Sequence, residues 1–357
     1  MLQNDMLPPR SSVPKVPRNQ WYVAAGSTEL GEELLARKLL GKPILLYRTA
    51  DGTPVALDDR CPHRAMPLSM GRRIGDEIQC AYHGFRFAAS GRCTHIPSSP
   101  TVPGAMRVTA YPLAELFGFV WIWMGDPALA DTALLPRDHA YITPTHHGRF
   151  FFCYPMGGNY LRLHENLMDT SHPSYLHEGM FDSSDLAAAP YKVETGDNMV
   201  RLSRDVGPHV PNDSTAFAFN LRPGERVTRT LITETHPPCL NIIVNRFTYV
   251  DKPEEPPVVA INIHGVVPAD EHNCYQFAGV YTPEPLPDEE AAKTFLADVL
   301  EQDSVALGAI ESACTVDDPE QADEISIRAD EASIRLRRMI LKMAREEQER
   351  VPAAATA

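Results

Sequence analysis

The amino-acid sequence predicts an α+β protein: a small all-β domain followed by a larger domain whose antiparallel sheet is closed by C-terminal helices. Three observations lead there. Short β segments cut by Gly, Pro and Asp turns dominate residues 21–125. Long alternating segments run from about Tyr191 to Tyr281, as expected of an antiparallel sheet with one covered face. Two helical stretches with cap signals then end the chain. With 357 residues, 43% of them hydrophobic, there is ample material for real cores.

Residues 1–20 are rich in Pro, Ser and Arg and read as an N-terminal arm, loose or ordered only on contact. The β domain, 21–125, carries "ILLYRT", the Asp51-Gly52 turn, "PVALD", "DEIQC", "FRFAASGRCTHI" around Ser90-Gly91, and "FGFVWIWMG". "GDPALADTALLPRD" has two prolines and no helix or strand period, so it reads as a linker. The larger domain, 126–350, includes helix-compatible "GNYLRLHENLMDTSH" ahead of Pro173, then strands "RVTRTLITET", "LNIIVNRFTYV", "PVVAINIHGVV" and "NCYQFAGVY". Its closing helices are expected from Asp288, an N-cap after Pro287, to about Ser312, and over roughly 324–349. Residues 351–357, "VPAAATA", read as a disordered tail, and there is no internal repeat.

A formal charge of −14 argues against nucleic acid or an anionic membrane as partner, since both attract basic surfaces. No run approaches about eighteen apolar residues, and the start lacks an apolar segment behind a basic one, so a cytoplasmic location is expected. The seven cysteines are odd in number and scattered, which suits a reducing compartment where thiols bind metal or fill core space.

Residues 61–87 read "CPHRAMPLSMGRRIGDEIQCAYHGFRF", giving Cys61 and His63, sixteen residues, then Cys80 and His83. Structural zinc sites usually pair Cys with Cys and His with His. Here each half supplies one of each. That division suits an asymmetric 2Fe-2S cluster in which two thiolates hold one iron and two imidazoles the other, with zinc or coincidence as the alternatives. Cys93 and His95, close by, are expected to pack inside the domain.

A second constellation lies in "HENLMDTSHPSYLHEG". Asn166 and Asp169 stand at helical i, i+3 spacing before His172 and His177, so they are expected to face the same way. Pro173 should end the helix, which lets two histidines five apart converge. A mononuclear ferrous oxygenase site needs two His and one carboxylate on one face. In "DEEAAKTFLADVLEQDSVALGAIES" an apolar stripe runs through Phe295, Val299, Ala306 and Ile310, and Asp303 falls on it. A carboxylate facing a core is costly unless it meets a cation or a donor. Asp298, Glu301 and Gln302 fall on the expected solvent side. The competing readings are surface histidines on a turn and an Asp303 held by N–H donors.

With both motifs, C-x-H-x16-C-x2-H and N-x2-D-x2-H-x4-H, the chain resembles the α subunits of Rieske non-heme iron oxygenases, of the kind similar to vanillate and dicamba O-demethylases. "NQWYVAA", "GFVWIWMGDP" and "EISIRADEASIRLRRMI" extend the likeness over nearly the whole body. The resemblance implies a Rieske β domain joined to a helix-grip catalytic domain, usually in a head-to-tail homotrimer. It implies that Cys61, His63, Cys80 and His83 hold the 2Fe-2S cluster and that His172, His177 and Asp303 hold Fe(II). Asp169, with Asn166 beside it as the second catalytic candidate, would link a cluster histidine of one subunit to an iron histidine of the next. The implied reaction is hydroxylation of a small aromatic substrate with O2, foremost O-demethylation of an aryl methyl ether. Ring or side-chain hydroxylation would use the same iron. A Rieske electron-transfer protein or a zinc scaffold is the non-enzyme alternative.

No G-x-G-x-x-G follows a strand, so electrons from NADH should arrive through a separate reductase, with or without a ferredoxin. Arg60, Arg64, Arg72, Arg73, Arg86 and Arg92 stand out in an acidic chain as a docking face for that partner, or as pairs for Asp58, Asp59, Asp76, Glu77 or the next subunit. Phe217, Phe219, Phe247, Tyr249 and Phe277 either line a flat pocket or belong to the core. The chain departs from its relatives at Gly308, where a Glu is frequent, and at Cys274, where His or Trp is frequent. It also lacks the extra cysteine pair of respiratory Rieske domains.

Overall fold

Alternation gives each long strand after Tyr191 two unlike faces, and the pairing of those strands follows from it. In the computed structural model, which describes residues 16–137, 141–143, 145–181, 186–314 and 324–350, they form a seven-stranded antiparallel sheet. Its strand order is His147–Gly157, Asn273–Thr282, Val258–Pro268, Leu240–Tyr249, Val227–His236, Met199–His209 and Tyr191–Gly196. On one face Ile242, Val244, Ile261 and Ile263 join Trp21, Val23 and Trp121 in a single core. The strand Trp21–Gly26 lies so close that a Cβ on Gly265 would come within 2.6 Å of Val23 Cγ2. The opposite face carries Thr233, Asn245, Asn262 and His264.

The N-terminal part holds three small sheets, of three, three and four strands. The four-stranded one shares with the sheet of strands Leu35–Leu39, Lys42–Arg48 and Pro54–Asp58 a core of Leu45, Leu57, Ile78, Phe85 and Phe87 around Cys61, Cys80 and Cys93. The fold is α+β as the patterning predicts. The supposed linker is more ordered than expected: Asp126 and Asp131 each accept a backbone N–H, from Ala128 and Ala133, and so start two 3-10 turns. The arm's residues 1–15 and the tail 351–357 lie outside the described residues. The chain leaving the arm is pinned, since the backbone N–H groups of Arg18 and Asn19 donate to Glu347.

Four α-helices complete the fold among the described residues: α1 (Tyr160–Met168), α2 (Asp213–Ala218), α3 (Glu289–Ala313) and α4 (Glu331–Arg350). Asp288 caps α3 through Ala291 N at 2.9 Å, as expected. Helix α4 starts later than the predicted 324. Asp330 draws the Ile327 N–H to its carboxylate at 2.7 Å and holds 324–327 outside the helix. The stripe on α3 also differs: Leu296, Val299, Leu300, Asp303 and Leu307 are its buried residues, while Ile310 is exposed. Among the described residues no helix is long and apolar enough to cross a membrane.

Candidate cluster site and metal centre

Two tight loops of like design present the first constellation. Cys61 N donates to Met66 O and Ala65 N to Cys61 O; Cys80 N donates to Phe85 O and Gly84 N to Cys80 O. Ala65 and Gly84 both sit at positive φ, 58° and 72°, which turns each loop back on itself. Cys61 and Cys80 are each 2% exposed, whereas His63 and His83 are exposed. The two imidazoles lie 4.6 Å apart, and His63 stacks on Phe85. Burial pushes the Cys61 thiol up to about 11 and Cys80 beside it adds to that, while the amides of His63 and Arg64 turn toward its sulfur and pull the other way. Paired thiols inside, paired imidazoles outside and loop amides aimed at sulfur fit an asymmetric Cys2His2 cluster. Cys93 packs in the same core, its Sγ near His95 O.

The second constellation depends on where α1 stops. Asp169 is its C-cap, so Asn166 and Asp169 do not share a helix face as the spacing predicted. Asp169 folds back to accept from Ser171 N at 2.7 Å and Ser171 Oγ at 2.6 Å. Asn166 Nδ2 donates to Asp303 Oδ1 at 2.9 Å. Pro173 does not end the helix as expected: α1 already stops at Met168, and Pro173 sits inside a 3-10 turn, His172–Ser174, that follows. That turn brings His172, His177 and Asp303 together, their ligand atoms all within 4.8 Å. Asp303 Oδ1 is 3.6 Å from His172 Nε2 and 3.4 Å from His177 Nε2, beyond good hydrogen bonds. Three donor atoms thus converge without satisfying one another, a donor set that fits a facial two-histidine, one-carboxylate iron site. His177 Nδ1 meets Gln302 Oε1 at 2.8 Å. Periodicity puts Gln302 toward solvent, yet it is half-buried, and its amide also reaches Met180 Sδ.

Comparison with known proteins adds the lineage. A Rieske [2Fe-2S] domain model matches residues 20–112, and a vanillate O-demethylase oxygenase C-terminal domain model matches 156–346, more than half of the chain. The chain belongs to this family of Rieske oxygenases. It is 31% identical over 338 residues to the oxygenase component of dicamba O-demethylase from Stenotrophomonas maltophilia, spanning 91% of this chain and 97% of that one. The iron-sulfur subunit of a toluene-4-sulfonate monooxygenase system from Comamonas testosteroni is 37% identical over 191 residues, about half of each chain. Dicamba monooxygenase bound to dicamba superposes with a TM-score of 0.83 at 28% identity, over 95% of this chain and all of that one. The same enzyme with non-heme iron and dicamba gives 0.77 at 27%.

In this Rieske oxygenase the histidine–carboxylate trio opens on a cavity of about 120 Å³ between the sheet's polar face and α3. Arg229, Asn245, Asn262, His264 and Gln276 form its polar wall. Arg229 donates to Asn245 Oδ1 from Nε at 3.0 Å and Nη2 at 2.6 Å. Gln276 Nε2 lies 3.1 Å from His264 Nδ1, and burial holds that imidazole down at about 4. Of the five aromatic residues named from strand spacing, Phe219 alone lines the cavity. Phe217 is exposed, Phe247 and Tyr249 pack behind Phe219, and Phe277 sits in the main core. The aromatic wall that spacing missed is Phe181, whose ring meets His177 edge-on at 6.1 Å.

Proposed function

We propose that this oxygenase demethylates an aryl methyl ether with O2 and two electrons. Oxygen enters a C–H bond of the methyl group; the hemiacetal then breaks its CH2–O bond, releasing formaldehyde and the phenol, while the second oxygen atom leaves as water with two protons. The observation that carries the reading is the convergence of His172, His177 and Asp303 on a cavity about one ring in size, in a chain related end to end to an O-demethylase component. When bound, the cluster and the iron supply the electron store and the redox centre for that reduction of O2. The chain's own residues hold the site: Asn166 orients Asp303, Gln302 orients His177, and the sheet's polar wall orients the ring.

The same lineage supports the remaining assignments. Cys61, His63, Cys80 and His83 hold the cluster in the domain 21–125, and His172, His177 and Asp303 hold iron in the domain 126–350. A separate reductase, drawing on NADH in the cytoplasm, feeds the cluster. The exposed imidazole edges of His63 and His83 favour electron transfer to a neighbouring copy in a homotrimer, with Asp169 as the bridge to His172. Iron and acid-labile sulfide analysis tests the site: about three irons per two sulfides are expected, and Asp303→Asn should lose one iron and keep the coloured cluster. Two irons in the unsubstituted protein would make it an electron carrier. Substrate-dependent formaldehyde tests the chemistry, and a hydroxylated product without it would move the function to ring or side-chain hydroxylation.

A further inference from the structure

The cavity at the histidine–carboxylate trio has a neighbour. A second chamber of about 390 Å³ adjoins it, and the two share Phe181, Phe219, Asn262 and Leu296 as lining residues. Helix α3 runs along both: Asp303, Leu300, Val299 and Leu296 face the inner chamber, Leu296, Phe295 and Ala292 the outer one. From Ala292 to Asp303 is eleven residues, so the two chambers together follow the helix for about 16 Å. That length is far more than one ring.

The two chambers differ in chemistry. The inner wall is polar on its sheet side, through Asn245, His264 and Gln276. The outer wall is mostly apolar, with Phe150, Ala218, Pro257, Val258, Leu286 and Phe295 among its residues. Asn262, common to both linings, puts one amide at their shared boundary. Ligand sites ordinarily enclose about 300–1,000 Å³, and the inner chamber alone falls short of that whereas the outer one does not.

We infer that the substrate is a two-part molecule: a ring bearing the methyl ether in the inner chamber, and an apolar substituent, an alkyl chain or a second ring, reaching past Asn262 into the outer one. This rests on the demethylase reading for the chemistry, and on the shape of the cavity alone for the substituent. The selectivity it brings is hydrophobic and grows with the apolar area removed from water.

The holoenzyme decides it with anisole, 4-hexylanisole and 4-methoxybiphenyl, each followed by equilibrium binding and by formaldehyde release. Expected is at least about tenfold tighter binding of the two extended ethers than of anisole. Ala292→Trp and Ala218→Phe, which fill the outer chamber from two sides, should each bring that ratio close to one. Equal binding of all three ethers by the unsubstituted enzyme overturns the inference, as does an advantage that survives in both variants when each unfolds cooperatively. Extended ethers preferred in binding but releasing no formaldehyde uphold the two-part site and sink demethylation; formaldehyde from anisole without any size preference does the reverse.

Discussion

Gln302 fixes which nitrogen of His177 points at Asp303: its Oε1 accepts from Nδ1, its Nε2 reaches Met180 Sδ, and Nε2 of the imidazole is left bare toward the carboxylate. Replacing Gln302 with Leu removes that support while leaving the three donor residues in the chain. Iron affinity at this centre should fall about 10- to 100-fold with cluster colour and sulfide unchanged. Competition with a chelator measures it, and an unchanged affinity would end the role given to Gln302. The donor residues themselves were legible because their types and spacing are unusual: two histidines on either side of Pro173, and a lone carboxylate among apolar helix positions. The helix end was not, for α1 stops at Met168, four residues short of His172. Gln302 was not. One residue from Asp303 on a helix is about 100° away from it, and only a loop that folds over the helix flank can bring an imidazole there.

At the scale of elements, the trio depends on α3 lying against the strand His147–Gly157. Gly157 and Gly158 allow that contact. A Cβ on Gly157 would come within 3.2 Å of Gly308 Cα, and one on Gly158, at φ 101°, within 3.1 Å of Leu307 Cβ. Gly308 thus stands opposite a glycine. Gly158→Ala should cost about 2 kcal/mol, from overpacking and backbone strain together, and should weaken iron retention because α3 carries Asp303. Thermal unfolding and metal content check both effects, and a variant as stable and as iron-replete as the parent contradicts the packing account. The strand itself was illegible, since "HGRFFFCYPMG" shows no alternation.

Helix α1 carries a second dependence. His164 is 1% exposed, its Nε2 bonds Pro238 O at 3.0 Å, and burial lowers its pKa to about 4 from an ordinary 6.5. The unfolded chain therefore binds a proton below pH 6.5 that the folded one refuses. Stability is complete above that pH and lost as pH falls toward 4, at up to about 1.4 kcal/mol per pH unit for this residue. Denaturant unfolding at pH 7 and 5 should show the loss, and His164→Gln should make the slope shallower. An identical slope would assign the acid sensitivity elsewhere.

For the whole molecule, the acidic balance makes its basic spots informative. The arginines picked out from sequence separate in the structure. Arg73 is engaged by Glu32 O and Asp76, and Arg86 by Gln79. Arg60 and Arg64 are exposed and share a depression with Arg107 and His63, the imidazole expected to touch the cluster. Arg107 lies far along the chain and was invisible as a neighbour until the fold brought it there. Asp58, the carboxylate of that depression, is taken by the Tyr111 hydroxyl at 2.6 Å. A positive cleft at the cluster's edge, on a molecule of charge −14, attracts an acidic electron donor to one place and repels it elsewhere. Arg107→Glu should therefore raise the apparent KM for the reductase several-fold at low ionic strength. Turnover with a small chemical reductant should not change. Added salt should raise the parent's KM toward the variant's, since screening removes the attraction that the substitution removes. A KM that ignores both the substitution and the salt would leave docking to another surface. Dissociation of the assembly by Arg107→Glu would give the cleft to the neighbouring subunit instead.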